Sequence, residues 1–404
     1  MCENYCGDNV PINFDQSLLE EQVKYSLTDP KIISPIQEIK RNFSKFSQFV
    51  KFGHVNSVSV PLYKDEIHRV VDEIGFDILA VSETNIHQNT PKSAFEIPNY
   101  KFFHQDRTGG VDRGGCGMYI KKELKSKHIP IPYNHNHFEV CAVEVVINKV
   151  KVVVIAIYKS PSTDYKVFSQ IFNSLQFLVS KYRHVVILGD MNINYLSKEE
   201  PRYRYFNSEI VEPLGLTQII EKPTRITRNS KSLIDLILVS SPKNVKFWDV
   251  TSCPFDVDHE IVYMSYNFKK EKFSPKIITK RDMKNFSKEE FIDKLNYAPW
   301  GNIYAVPDNE IDNQVTILEN IFRTVVDEVA PFKTCRVTRP PTPWLTDDLR
   351  CKMDLRDKLR AQYKQNFDPV VFENYKELRN EINHEKRRYK IKHFNSNINF
   401  QVKN

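Results

Sequence analysis

From residue 52 to about residue 266 the chain is written in short apolar runs, each closed by polar or turn-forming residues. Runs rich in Val, Ile and Tyr favour extended backbone, because β-branched and aromatic side chains pack well on a pleated surface. They predict strands over 78–82, 117–121, 140–147, 152–158, 185–188, 233–239 and 261–266. Between them, 63–74 and 165–182 carry apolar residues at helical spacing, as in Phe168, Ile171, Phe172, Leu175 and Leu178. Many short strands with few helices favour an α+β four-layer sandwich, two packed mixed β-sheets flanked by helices, over a single doubly wound sheet.

Past residue 266 the pattern changes to a Lys-rich, strand-poor stretch, then predicted helices over 288–296 and 310–329, the latter stopped by Pro331. Residues 338–343 read as an extended linker. Thr346 before Asp347 and Asp348 reads as a helix start, opening two long charged helices broken near Asp368-Pro369. Ahead of the strands, Pro11, Pro30 and Pro35 interrupt any long helix and no period is evident. The expected organisation is therefore a poorly constrained segment over 1–50, a folded domain over 51–268, and a mostly helical C-terminal extension over 269–404 with no polymerase motif.

Composition narrows the class. The chain has 404 residues, 41% hydrophobic and 27% charged, enough apolar material for a sizeable core. Its longest apolar run, 152–158, is far short of the roughly 20 residues of a membrane span. The N-terminus has neither the basic start nor the apolar stretch of a secretory signal. Seven scattered cysteines without a Cys-x-x-Cys pair read as reduced thiols, so an intracellular, non-secreted protein is expected. The formal charge is +7, concentrated in the tail, which fits a polyanionic partner without demanding one.

The chemistry is expected where apolar strands stop at an acid, amide or histidine. One run delivers Glu83 at its carboxyl end, and another delivers Asp190 and Asn192, two residues apart and so on one face of a continuing strand. Asp235 interrupts an apolar run, where an unpaired charge is costly to bury. Asp258 and His259 precede the last strand of the domain. Singly, each acid reads as a turn or cap residue. Together, Glu83, Asp190 and Asn192 make an oxygen-rich set suited to a hard cation, and His259, oriented by Asp235, gives an acid-base partner.

The order of His54-Val-Asn-Ser, Ser82-Glu-Thr, Arg113-Gly-Gly-Cys-Gly, Tyr158-Lys-Ser-Pro, Gly189-Asp-Met-Asn, Pro223-Thr-Arg, Leu233-Ile-Asp-Leu-Ile and Asp258-His259 resembles the endonuclease/exonuclease/phosphatase superfamily over 52–268. Within it, the sequence looks most like the endonuclease domain of Jockey-like non-LTR retrotransposons. Pro343-Trp-Leu-Thr, Arg356-Asp-Lys-Leu and Tyr375-Lys-Glu-Leu-Arg-Asn resemble the connector before reverse transcriptase.

The resemblance implies a magnesium-dependent endonuclease, with manganese an alternative ion, that nicks double-stranded DNA and leaves a 3′-hydroxyl, acting in the nucleus. It implies Asn56, Glu83 and Asp258 at the metal and Tyr158 at the scissile phosphate. Asp190 with Asn192 would position or activate water, and Asp235 would orient His259. Thr224 and Arg225 would contact substrate. Val257 stands where the family commonly has Ser, removing a hydroxyl that could bond phosphate. Val58 stands where repair-type relatives often carry an acid, which favours the retroelement branch. The alternatives are a phosphatase of the same superfamily acting on a small or lipid phosphoester, and a decayed nucleic-acid-binding remnant.

Three signals are set aside. The glycines over 109–117 lack the Lys-Ser/Thr of a phosphate loop and read as a hairpin turn. His135 and His137 read as a solvated loop. The basic run 386–390 reads as a wet helix face.

Overall fold

A computed structural model describes residues 33–107, 114–132, 138–255, 257–269, 276–283, 286–337 and 344–402. In chain order the strands of its main body are β1 (Phe49–Asn56), β2 (Ile78–Ser82), β3 (Tyr100–Gln105), β4 (Cys116–Lys121), β5 (Lys125–Ile129), β6 (Phe138–Ile147), β7 (Val150–Lys159), β8 (His184–Asp190), β9 (Thr217–Gln218), the two-residue pair β10 (Arg225–Ile226) and β11 (Lys231–Ser232), then β12 (Asp235–Val239), β13 (Val245–Ser252) and β14 (Glu260–Lys269). They form two six-stranded mixed sheets, ordered β13-β14-β1-β2-β4-β3 and β5-β6-β7-β8-β12-β9. Only β1 with β2 and β7 with β8 run parallel among the described pairings of these sheets.

The central strands β2, β8 and β12 are buried along their whole length, as expected of strands covered on both faces. Val152, Val154, Ile155, Ile187 and Leu236 pack with Phe52, Ile78 and Met118 in one core between the sheets. Outside the first sheet, helices α1 (Pro35–Ser44) and α2 (Val60–Ile74) bury Ile39, Phe43, Ile67 and Val71 against Val55, Leu79 and Tyr263. Helix α3 (Ser169–Lys181) buries Ile171, Leu175 and Leu178 against the second. These are the four layers the strand-rich pattern predicts.

Several elements depart from expectation. Pro35 does not interrupt a helix but begins one, because its missing N–H is an orphan donor at that position anyway; Ser34 caps it. Strands β1, β3, β5 and β13 escape the pattern because polar residues interleave their apolar ones. The stretch after residue 266 is not without strands, since β15 (Lys276–Arg281) pairs antiparallel with β16 (Phe332–Val337).

Those two strands, with α4 (Lys288–Asn296) and α5 (Ile311–Val329), belong to a separate compact unit over 272–341. The remainder of the C-terminal extension groups with the sandwich. It is a pair of helices, α6 (Asp347–Asn366) and α7 (Pro369–Val402), with a core of its own around Leu349, Met353, Leu359, Tyr375, Leu378 and Ile382. The Thr346 side chain accepts from Leu349 N, so the acids at 347 and 348 sit in a capped first turn as expected. No helix among the described residues is long and apolar enough to cross a membrane. The linker 338–343, His135, His137, Arg113, Asp256 and, of the glycine cluster, Gly109 and Gly110 lie outside the described residues.

Candidate active site

The register of the strands brings the predicted side chains to one end of the sandwich. Asn56 lies beside Ser82 where β1 and β2 end, Tyr158 beside Asp190 where β7 and β8 end, and Asp235 directly opposite Asp190 where β12 begins. Two sheets thus deliver polar ends to a shared seam. Close approach is needed here, since a Cβ on Gly189 would sit 1.9 Å from the Ile157 carbonyl oxygen. The backbone is also bent sharply around the seam: Val58, Glu83 and Asn192 adopt φ of 57°, 51° and 48°. Left-handed backbone is unfavourable for a β-branched residue above all, and it persists only where surroundings impose it.

Asn56 is the bridge between the sheets. Its amide nitrogen donates to Glu83 Oε1 at 2.8 Å and to Asp190 Oδ2 at 2.9 Å, while its oxygen accepts from Val58 N at 3.1 Å. Tyr158 donates from its hydroxyl to Glu83 Oε1 at 3.1 Å. Burial and the carboxylates of Glu83 and Asp190 push that phenol well above its ordinary range, so it stays a donor.

The other half is a carboxylate–imidazole pair. His259 Nδ1 lies 2.9 Å from Asp235 Oδ2, and its Nε2 lies 4.0 Å from Asp190 Oδ2. Burial lowers the imidazole's affinity for a proton, but Asp235 outweighs it, with help from Asp190 and Glu83, and His259 is pushed up to about 9. The Asp235 carboxyl is pushed up by burial yet held below its ordinary value by His259. Asp190 moves the other way, to about 7, because burial and the nearby Asp235 charge outweigh His259 and the Asn56 hydrogen bond.

Asn192 and Thr224 arrive by a different route from the one expected. The strand stops at Asp190, and Asn192 reaches the seam through its left-handed turn. Its N–H donates to Asp190 Oδ1 at 3.0 Å and its side chain donates to Lys159 O at 2.7 Å. Thr224 is fully buried, and its hydroxyl accepts from Ile234 N and Asp235 N at 3.1 and 3.0 Å. It thereby fixes the start of β12.

Asp258 is a correction. Its side chain is 59% exposed and lies 3.9 Å from Arg225, itself 44% exposed, so it stands apart from the carboxylates around Asn56. The chain alternates sides at 258 and 259, so turning His259 inward turns Asp258 out. Val257, which stands where a Ser could bond phosphate, is only 4% exposed and packs with Phe255 and Ile261.

Two buried groups were given no role from sequence. His54 lies with Nε2 2.9 Å from Ser82 Oγ and Nδ1 3.5 Å from Asp235 Oδ1; burial pushes it down to about 4, so it is a neutral second imidazole on Asp235. Its place two residues before Asn56 on one strand face would have flagged it, had β1 been legible. Lys159 donates to Ser160 O and Thr163 O at 2.8 and 3.0 Å, and burial pushes it down to about 8.

Asp190, Asp235 and His259 offer ligand atoms within 4.8 Å of one another. Asp235 and His259 already satisfy each other, which leaves the Asp190 and Glu83 carboxylates as the pair open to an ion, while Asn56 turns its amide nitrogen to both and its oxygen to Val58 N. Their oxygen chemistry suits a hard divalent cation, and the raised Asp190 marks negative charge that such an ion would neutralise.

The sequence profile of the Endonuclease/Exonuclease/phosphatase family matches residues 50–256, just over half of the chain. No curated protein matches. Among solved structures, the endonuclease domain of TRAS1, a telomere-specific non-LTR retrotransposon, is 13% identical with a TM-score of 0.46, covering 55% of this chain and 100% of that one. The human Nocturnin catalytic domain is 16% identical (TM-score 0.42, 55% and 94% covered). A 3′-5′ exonuclease from Neisseria meningitidis is 18% identical (TM-score 0.44, 54% and 99% covered).

Proposed function

Because the chain belongs to the endonuclease/exonuclease/phosphatase family, whose members are hydrolytic enzymes and mostly metal-dependent nucleases, we propose that it is a magnesium-dependent DNA endonuclease of retroelement origin. The observation that carries this reading is the seam where Asn56 ties Glu83 to Asp190 while His259, oriented by Asp235, stands 4.0 Å from Asp190. Glu83 would hold magnesium or manganese, with Asn56 joining it once its oxygen turns from Val58 N, and the ion would supply charge neutralisation at the phosphate.

The protein's own groups account for the proton movements. Asp190 accepts the proton of the attacking water, and Asn192 N–H keeps its carboxylate aimed. The water oxygen bonds to phosphorus and the bond to the 3′ oxygen breaks. His259, protonated at neutral pH and fixed by Asp235, gives a proton to that oxygen. The products are a 3′-hydroxyl and a 5′-phosphate. Tyr158, held as a neutral phenol, donates to a phosphate oxygen. Exposed Arg225, which bridges to the His259 backbone, and the +7 charge suit a polyanionic substrate; that it is double-stranded DNA, met in the nucleus, is part of the proposal.

The test is nicking of supercoiled plasmid, with extension of the nick by a DNA polymerase to report a 3′-hydroxyl. Metal-dependent, extendable nicks support the reading. Turnover of a small or lipid phosphoester with intact plasmid supports the phosphatase alternative. DNA binding without cleavage by the folded wild-type chain supports the non-catalytic remnant.

A further inference from the structure

The loop that carries His259 is held from both sides. On one side the backbone near β10 grips it: Ile226 N donates to Asp258 O at 3.1 Å and Glu260 N to Thr224 O at 2.7 Å. On the other side the grip comes from α6, which lies outside the region matched by the family profile. Arg356 Nη2 donates to Pro254 O at 3.1 Å, Arg360 Nη2 donates to Val257 O, and Lys364 pairs with Glu260. Residues 356, 360 and 364 recur every four positions and so form one face of the helix. That face meets the loop at Pro254 and Val257, before the Asp258-His259 pair, and at Glu260, after it.

Buried cations at these positions carry a desolvation cost that only good pairing offsets. The pairing is present: Arg356 binds Asp357 Oδ1 at 2.9 and 2.6 Å, Asp357 accepts from Arg69 of α2 at 2.7 Å, and Arg360 donates to the Tyr375 hydroxyl at 2.9 Å. The guanidiniums are therefore fixed before they meet the carbonyls. The Val257 carbonyl that Arg360 holds belongs to the peptide leading into Asp258, while Asp258 O and Glu260 N are held from the β10 side, so the backbone of His259 is fixed on both sides and with it the direction of its ring.

We infer that Arg356 and Arg360 are positioning residues for His259, which makes α6 part of the active hydrolase. This rests on the function proposed above. Geometry supports a selective effect: misplacing a catalytic group by about 1 Å costs on the order of 100-fold in turnover while substrate binding is little changed.

The experiment compares the full chain with Arg360→Met, Arg360→Lys and Arg356→Lys by hydrogen exchange and by plasmid nicking in magnesium. Exchange in 257–260 should quicken by about tenfold or more in Arg360→Met while β7 and β8 keep wild-type protection. Nicking kcat should fall roughly 10- to 100-fold with KM within about threefold, and Arg360→Lys should recover part of it. Unchanged exchange and kcat in all three variants overturn the inference, as does loosening spread evenly over the sandwich, which marks a purely structural role. If the wild-type chain does not nick but exchange changes locally, the positioning stands and the proposed function fails. If the wild type nicks and Arg360→Met nicks equally well, the positioning fails alone.

Discussion

Glu66 and Asp190 are both buried carboxyls, yet they shift in opposite directions. At Glu66 on α2, burial pushes the carboxyl up, but Lys386 and Arg356 outweigh it and hold it below its ordinary value. At Asp190, burial acts together with Asp235 and the carboxyl rises to about 7. The helix interface places a base against every acid, with Asp357 between Arg69 and Arg356 and Glu66 between Arg356 and Lys386. The strand-end seam instead gathers Glu83, Asp190 and Asp235 around one amide, the His259 imidazole and the neutral imidazole of His54. The first arrangement joins two parts of a fold. The second keeps charge unneutralised, and a site that must attract a cation and move a proton has a use for that.

Breaking the two clusters should therefore give different symptoms. Asp235→Asn leaves His259 without its ionic partner; plasmid nicking should drop about 10^3- to 10^4-fold with little change in melting temperature. Arg69→Met leaves Asp357 with Arg356 alone and takes the shared base from Asp354 and Glu73, and chemical denaturation should show a loss of about 3–5 kcal/mol. Magnesium at about 100 times its Kd should stabilise the wild-type chain by about 2.7 kcal/mol, and Glu83→Gln should lose most of that rise in a thermal melt.

A smaller effect tests the neutral imidazole beneath the seam. His54 titrates near 4 when folded against 6.5 when free, so between those values only the unfolded chain binds the proton. Stability is therefore untouched above pH 6.5 and falls as pH drops towards 4, by about 2 kcal/mol from pH 7.5 to 5. Urea midpoints at the two pH values, for wild type and His54→Gln, isolate it; equal acid sensitivity in both would remove His54 as the cause.

Part of this was legible in the sequence because a strand buried on both faces must be a continuous apolar run, so Glu83, Asp190 and Asp235 stand out where such runs end or break. Asp190 and Asp235 meet because β8 and β12 pair in antiparallel register, a contact across 45 residues of chain that spacing alone does not encode. Asn192 was assigned to the right place by the wrong route, since a left-handed turn follows Asp190. Residues 386–390 looked like a solvated basic face, yet Lys386 and Lys390 reach Glu66 and Asp65 at 2.6 and 2.7 Å. A charged helix facing solvent and one facing a complementary surface have the same composition, which is why α6 and α7 appeared to be mere connector.

The most direct test of the account is nicking of supercoiled plasmid by wild type and Asp190→Asn, each with magnesium and with a chelator. Nicking confined to wild type with magnesium, from a variant that melts at least as high as wild type because a like charge has been removed, is the predicted result. Equal nicking by Asp190→Asn, or nicking that survives the chelator, would contradict the claim that this seam is the catalytic centre.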